Sequence, residues 1–170
     1  MGRIGPKSDK DLTNAEKVIF ALLASKRSIA TAESMTAGGY GYALTRVPGS
    51  SRAYMGGLIT YTREWKQKLL GIPDEICDRG MVTPEITLEM ARRVREKFGT
   101  YYGVGVTGNA GPTSDQGSAS VGRVYWAVAD ERGVEAVQEF DFFGNRDAVR
   151  EKAVTDGLRM LRNFIEHELG

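Results

Sequence analysis

The chain has 170 residues, of which 41% are hydrophobic and 26% are charged, and its formal net charge is +1. These values are typical of one globular domain and give no electrostatic reason to expect binding to nucleic acid or to an anionic membrane. The single cysteine, Cys77, excludes an internal disulfide, and with one histidine in the chain no metal site is expected. The sequence shows neither a membrane-length apolar run nor a signal peptide, so we expect a cytoplasmic protein.

Helical and strand-like segments alternate in the first half of the chain. We expect a flexible N-terminus at 1–12, followed by a helix that begins with a capping box formed by Thr13 and Glu16. Residue spacing then predicts a strand at 28–32, a helix at 36–46 and a strand at 57–62. Two helices follow, at 64–70 and at 84–98, the second of them capped by Thr83.

The second half of the chain predicts a strand, a long loop and a strand pair before the last helix. The strand is expected at 101–108, the loop at 109–120, the pair at 121–129 and 134–143, and the helix at 146–167. Neither a repeat nor a linker divides the chain, so residues 13–170 are expected to form one domain. Alternating helices and strands followed by a hairpin predict the α/β class, with a mixed sheet covered by helices.

Three glycines match a motif that binds dinucleotides in other proteins. Gly103, Gly105 and Gly108 fit G-x-G-x-x-G, which in those proteins turns from a strand into a helix. Here the motif lies inside the predicted strand, and the turn-forming residues at 109–112 prevent a helix from starting cleanly. We therefore reject a Rossmann interpretation.

The stretch T-A-E-S-M-T-A-G-G at 31–39 places Ser34 between a predicted strand and a predicted helix. Backbone N–H groups at a helix start are unpaired, so Ser34 could attack a carbonyl while nearby amides stabilise the oxyanion. The alternative is that Ser34 or Thr36 only caps the helix and that Glu33 is only a charge favoured near its start. On this stretch alone, the alternative is favoured.

A serine nucleophile needs a base, and a predicted helix offers Lys66 and Lys68. One face of this helix carries the apolar residues Trp65, Leu69 and Leu70. Lys66 falls on the border of that face and in the first turn, and both positions lower the pKa of an amine. Tyr61, at the end of the preceding strand, could relay a proton or orient the base. Alternatively, Lys66 extends to solvent and Tyr61 is a core aromatic residue.

A third candidate element follows the buried strand at 101–108. Thr107 and Gly108 end this strand, and Gly111 and Pro112 follow in a loop whose backbone amides are exposed. Such a nest of amides suits a phosphate or a carboxylate, although an ordinary wide turn is the alternative.

Taken together, these stretches resemble one family, the C-terminal domain of the competence/damage-inducible protein CinA, which is also the nicotinamide-nucleotide amidase family. The likeness extends in order over roughly residues 13–165. The matching motifs are A-E-S-C-T-G-G at 32–38, V-P-G-S-S at 47–51, G-G-x-x-T-Y-(S/T)-x-x-x-K-x-x-L-L-G at 56–71, G-(A/M)-V-(S/T) at 80–83, V-T-G-I-A-G-P at 106–112, V-G-x-V at 121–124 and G-(D/N)-R-x-x-V-R at 144–150.

The resemblance implies a three-layer α/β/α single domain with a mixed sheet. It implies hydrolysis of the carboxamide of nicotinamide mononucleotide to nicotinate mononucleotide and ammonia, with a small-molecule pyridine nucleotide as partner and without a metal or cofactor. Ser34 would be the nucleophile, assisted by Lys66 and Tyr61. The residues then expected to bind the substrate are Glu33, Thr36, Gly38, Thr107, Gly108, Gly111 and Arg146, with Arg123 as another candidate anion partner.

The chain departs from the family motifs near the expected site. Met35 replaces the usual cysteine, Ala37 replaces a glycine, and Asn109 stands where an apolar residue is usual. Two hypotheses therefore stay open: an amidase, and a catalytically inactive CinA-like nucleotide-binding or regulatory domain. In either case we expect a homo-oligomer, because closed symmetric assemblies are common.

Overall fold

The structure is a computed structural model that describes residues 12–114 and 119–169. Eleven of the twelve residues of the expected flexible N-terminus and residues 115–118 of the expected loop lie outside the described residues. The elements, in chain order, are α1 (Asn14–Ser25), β1 (Ile29–Glu33), α2 (Gly39–Thr45), a 3-10 turn (Ser50–Arg52), β2 (Tyr54–Ile59), α3 (Arg63–Leu70), α4 (Asp74–Asp78), α5 (Pro84–Phe98), β3 (Tyr102–Gly108), β4 (Arg123–Asp130), β5 (Glu135–Asp141) and α6 (Arg146–Leu169).

The five strands form one mixed sheet in the order β2-β1-β3-β4-β5. Strand β1 pairs in parallel with both β2 and β3, whereas the β3–β4 and β4–β5 pairs are antiparallel. Helices α1, α2 and α6 pack together on one face, and α5 covers the other face together with α3 and α4. The expected three-layer α/β/α domain with a mixed sheet is confirmed.

Glycines in β3 allow α5 to lie directly on the sheet. A Cβ atom at Gly103 would lie 2.1 Å from the carbonyl oxygen of Ala91, and one at Gly105 would lie 2.3 Å from that of Thr87. Both distances are far shorter than a van der Waals contact, so only glycine fits at either position. The spacing that imitates a dinucleotide motif is thus a helix–sheet packing feature.

Three local predictions differ from the structure. The helix predicted at 36–46 begins only at Gly39, because residues 35–38 form a turn in which Ala37 and Gly38 have positive φ angles of 50° and 90°. The strand predicted at 57–62 covers Tyr54–Ile59, so Tyr61 follows the strand instead of ending it. The short helix α4 was not predicted, since five residues provide too little periodicity to recognise.

The strand order brings three chain segments to one edge of the sheet. Strands β1, β2 and β3 are parallel, so their carboxyl ends meet at this edge, directly before Ser34, Thr60 and Asn109. The order also reverses here, because the chain leaves β1 toward β2 and returns to the other side of β1 as β3. Open α/β sheets bind ligands at such a point.

Candidate active site

Ser34 and Glu33 are neighbours in the chain, yet their side chains lie on opposite faces of the sheet. Successive side chains of a strand alternate between the two faces, and the Ser34 N–H extends the β1 ladder by donating to the Val106 carbonyl at 2.9 Å. The Glu33 side chain therefore lies against α2, while that of Ser34 lies on the α3 side. There the Lys66 Nζ atom is 3.2 Å from the Ser34 Oγ atom.

Lys66 is a buried lysine with only 1% of its surface exposed. Its Nζ atom donates a hydrogen bond of 2.7 Å to the carbonyl of Thr60, and no carboxylate lies within ion-pair distance among the described residues. Burial removes water from the ammonium and lowers the pKa of Lys66 to about 8. At pH 7 about a tenth of the amine is consequently neutral, far more than for an exposed lysine.

The face of α3 that packs on the protein differs from the predicted one. Lys66 and Leu70 are its buried residues, whereas Trp65 is 46% exposed. Lys66 thus lies at the centre of the buried face and not on its border, and the alternative in which it extends to solvent is wrong. Lys68 is exposed and pairs with Glu64, as expected for a residue on the outer face.

The carboxylate of Glu33 holds the turn and the helix start that follow Ser34. One oxygen accepts hydrogen bonds from the Thr36 hydroxyl and the N–H groups of Gly38 and Tyr40, at 2.7, 3.0 and 3.0 Å. The other oxygen accepts the Gly41 N–H at 2.8 Å. Glu33 is buried and was predicted to bind substrate, but the chain's own donors occupy both oxygens. Its position matches the simpler alternative, a charge favoured at a helix start.

The same bonds decide which amides remain free for an oxyanion. The N–H of Gly38, a residue expected to bind substrate, already donates to Glu33 and is therefore not among the free amides. The Ala37 N–H donates to the Ser34 carbonyl at 3.0 Å. Within the described chain, the N–H groups of Met35 and Thr36 have no hydrogen-bond acceptor. These two consecutive amides directly follow Ser34, as oxyanion donors commonly follow a serine nucleophile.

Tyr61 and Arg146 connect the two sides of the cleft beside Ser34. One guanidinium nitrogen of Arg146 donates to the Tyr61 hydroxyl at 2.8 Å, and the other donates to the Gly111 carbonyl at 2.7 Å. Tyr61 is 51% exposed, so it is not a core aromatic residue. Its hydroxyl contacts Arg146, and among the described residues it has no hydrogen bond to Ser34 or Lys66.

The two arginines considered as anion partners differ in their neighbours. Arg123 is neutralised by Asp141 at 2.6 Å and by Glu139 at 2.8 Å. Arg146 is exposed and has no carboxylate partner in the described ranges 12–114 and 119–169. An incoming anion would therefore meet an uncompensated charge at Arg146.

A cleft of about 210 Å³ contains Ser34, Lys66, Tyr61 and Arg146. Thr107 and Gly108 line it as expected, although the Thr107 hydroxyl is occupied by the Met81 carbonyl at 3.0 Å. Sequence reasoning missed Met81, Val82 and Thr113, which also line the cleft. Two larger cavities include neither Ser34 nor Lys66. One lies between α1, α2 and α6, and the other lies between α2 and α6 and is lined in part by Thr36 and Arg150.

The described residues include no group of three or more histidine, cysteine or carboxylate side chains arranged to hold a metal ion. In the same residues, none of the helices combines the length and the apolar character needed to cross a bilayer.

The model of the family described as the CinA C-terminal domain matches residues 11–165. The chain belongs to this family. A CinA-like protein of Gemmatimonas aurantiaca is 42% identical over 144 residues, which cover 84% of this chain and 33% of that protein. A competence-damage inducible protein of Moorella thermoacetica is 39% identical over 148 residues, covering 86% of this chain and 36% of the relative. The chain thus spans about a third of the length of the curated relatives it matches.

Solved structures agree with this membership. A crystal structure of a CinA superfamily protein from Klebsiella pneumoniae superposes with a TM-score of 0.86 at 26% identity, covering 91% of this chain and 96% of that one. A competence or damage-inducible protein from Enterobacter asburiae gives a TM-score of 0.85 at 29% identity, covering 91% and 99% of the two chains. These proteins have nearly the same length as the matched domain.

Proposed function

We propose that this CinA C-terminal domain is an amidase that hydrolyses the carboxamide of nicotinamide mononucleotide. The observation that carries the proposal is the buried pair of Ser34 and Lys66, whose Oγ and Nζ atoms are 3.2 Å apart. A lysine with a pKa of about 8 can accept the serine proton near neutral pH. The choice of nicotinamide mononucleotide as the substrate is based on the resemblance of the chain to the nicotinamide-nucleotide amidase family.

In the first step the neutral Lys66 amine takes the hydroxyl proton while the Ser34 Oγ atom bonds to the carboxamide carbon. Negative charge develops on the carboxamide oxygen, where the free N–H groups of Met35 and Thr36 would donate hydrogen bonds. Lys66 then returns the proton to the departing nitrogen, and the C–N bond breaks to release ammonia. The product of this step is an ester between nicotinate mononucleotide and Ser34.

In the second step water hydrolyses this ester. Lys66 accepts a proton from water as the water oxygen bonds to the acyl carbon, and it returns a proton to the Ser34 Oγ atom as that atom leaves. The carbonyl of Thr60 accepts a hydrogen bond from Nζ and would keep the amine aimed at Ser34 in both steps.

The dimensions and charge of the cleft are compatible with this substrate. Its volume of about 210 Å³ is suited to an aromatic carboxamide, and Arg146 at the rim carries a charge that could pair with a phosphate. Tyr61 would contribute through Arg146 and the shape of the cleft, because its hydroxyl is already engaged by that residue.

The test is ammonia release from nicotinamide mononucleotide, with nicotinate mononucleotide identified by chromatography. Ser34→Ala and Lys66→Met should each reduce turnover by about a thousandfold or more, because the nucleophile or its base is lost. Lys68→Met, which removes an exposed lysine on the same helix, should leave turnover unchanged. Thermal stabilisation by the nucleotide without ammonia release would instead support the inactive binding or regulatory domain. Turnover that survives Ser34→Ala would exclude the serine mechanism.

A further inference from the structure

Arg150 reaches from α6 to the turn that follows Ser34. Its Nε atom donates to the Met35 carbonyl at 3.0 Å, and one terminal nitrogen donates to the Thr36 carbonyl at 3.4 Å. These contacts join residues that are 115 and 114 positions apart in the chain. The nearest carboxylate, Asp147, is 4.0 Å away and 84% exposed, so the guanidinium interacts mainly with the two carbonyls.

The contact with Met35 affects an amide that the proposed reaction uses. The carbonyl of Met35 and the N–H of Thr36 belong to one peptide group, whose electrons are delocalised over O, C and N. A cationic donor on the oxygen withdraws electron density from that group and makes its N–H a stronger donor, as in any chain of cooperative hydrogen bonds. Among the described residues the Thr36 N–H has no acceptor of its own.

The turn is also held by two side chains of opposite charge. Glu33 binds the Thr36 hydroxyl and the Gly38 N–H, whereas Arg150 binds carbonyls of the same turn. Between these contacts, Ala37 keeps a φ of 50°, a conformation that is unfavourable for a residue with a side chain. Arg150 therefore both fixes the turn and acts on the peptide group that presents the Thr36 N–H.

We propose that Arg150 is a positioning residue that strengthens and orients the Thr36 amide as an oxyanion donor, without touching the substrate. The proposal rests on Ser34 being the nucleophile of the proposed function. It predicts an effect on the transition state alone, because charge on the substrate oxygen develops only there.

The experiment compares Arg150→Met and Arg150→Lys with the unmodified protein in two assays. The first is ammonia release from nicotinamide mononucleotide, measured as kcat and KM over a range of pH. The second is the rate at which a fluorophosphonate modifies Ser34, followed by mass spectrometry, in which Oγ bonds to phosphorus and fluoride leaves. Arg159→Met is the matched control, since Arg159 lies on the same helix and bonds only to Asp156 among the described residues.

Removing an oxyanion donor outright lowers turnover by about a hundredfold to a thousandfold, so weakening one by Arg150→Met should lower kcat by about ten- to a hundredfold. KM and the pH midpoint near 8 should stay unchanged, because Lys66 is not touched. Phosphonylation should slow to a similar extent, Arg150→Lys should recover part of both rates, and Arg159→Met should behave like the unmodified protein. Rates are compared below the melting temperature of each variant.

Unchanged rates for Arg150→Met overturn the proposal, as does a shifted pH midpoint, which would mean that the turn and the Ser34–Lys66 pair had moved. If Ser34 is phosphonylated but ammonia is not released, the proposed substrate is wrong, and the phosphonylation rates alone decide the role of Arg150. If Ser34 in the unmodified protein is not phosphonylated, it is not an activated nucleophile, and both proposals fail.

Discussion

The Nζ atom of Lys66 lies 3.2 Å from the Oγ atom of Ser34, and this contact joins the end of strand β1 to the buried face of helix α3. The two residues are 32 positions apart in the chain. Both are buried, so water screens the interaction between them much less than at the surface. Whichever of the two carries the shared proton determines whether the serine can attack, and this dependence gives the first prediction.

Ammonia release should depend on pH through Lys66. Its pKa is lowered to about 8, and only the neutral amine can accept the serine proton, so kcat/KM should rise about tenfold per pH unit below 8 and level off above it. The measurement is a pH–rate profile at constant ionic strength. A profile that is flat between pH 6 and 9 would show that Lys66 is not the base.

Lys66→Met should make the protein more stable at pH 7. The pKa of Lys66 is about 8 in the fold and near 10.5 in the unfolded chain, so the fold disfavours the charged form by about 3 kcal/mol at pH 7. Loss of the bond to the Thr60 carbonyl offsets about 1 kcal/mol, which leaves a gain of about 2 kcal/mol.

The gain should diminish as pH rises from 8 toward 10.5. In this interval Lys66 is neutral in the folded parent protein but still protonated in the unfolded chain, which gradually loses that proton. Above 10.5 the amine is neutral in both states, so burying it no longer costs the parent protein stability. Urea unfolding at pH 7 and pH 10 measures both values. Lys68→Met, at an exposed position, should change stability by less than about 0.5 kcal/mol. Equal stability of Lys66→Met and the parent at pH 7 would contradict the lowered pKa.

Glu33→Gln should destabilise the protein by about 2 kcal/mol, since the charge-assisted bonds donated by Thr36, Gly38, Tyr40 and Gly41 are weakened or lost. A glutamine NH₂ group would also face backbone donors. Glu64→Gln, which removes an exposed charge paired with Lys68, is the control and should have little effect. Thermal melting measures the stability, and steady-state kinetics measures KM. If stability is unchanged and KM is raised, Glu33 binds substrate as the sequence predicted.

Ala37→Gly should stabilise the protein slightly. Ala37 has a φ of 50°, a conformation that costs residues with a Cβ atom about 1–2 kcal/mol, and part of this cost returns as the greater freedom of glycine in the unfolded chain. We expect a net gain of up to about 1 kcal/mol. Ala43→Gly, inside helix α2, should have the opposite effect of about 1 kcal/mol. Thermal melting of both variants measures the difference, and a loss of stability in Ala37→Gly would mean that the methyl group packs favourably.

Arg146→Gln should raise the KM for nicotinamide mononucleotide by about tenfold. The substitution removes the uncompensated guanidinium at the rim of the cleft, which would otherwise pair with the phosphate of the substrate. Arg123→Gln is the comparison, since Arg123 is already neutralised by Asp141 and Glu139 and should leave KM unchanged. Steady-state kinetics of the two variants distinguishes them. A lowered kcat with unchanged KM in Arg146→Gln would place this residue with the reacting carboxamide instead.

Local sequence patterns were enough to identify the class of the fold and the family of the chain. Alternating helical and strand periodicities predicted nearly every element, because these patterns depend on neighbours within a few residues. The ordered motifs singled out Ser34 and Lys66 without showing that they meet. Element bounds were less accurate where tertiary bonds override local preference, as at 36–38, where Glu33 and Arg150 hold the chain in a turn.

Packing between distant elements sets which lysine is buried, which amides remain free and where each charge is compensated. Periodicity predicted an apolar face of α3 that includes Trp65, with Lys66 on its border. In the structure Lys66 lies at the centre of the buried face of α3, and Trp65 is exposed to solvent. The role of Arg150 depends on a contact across 115 residues, which local patterns do not encode. The physical reason is common to these cases: burial and hydrogen bonding at a site are set by elements that are distant in sequence, and they form only when the sheet and its two helical layers pack together.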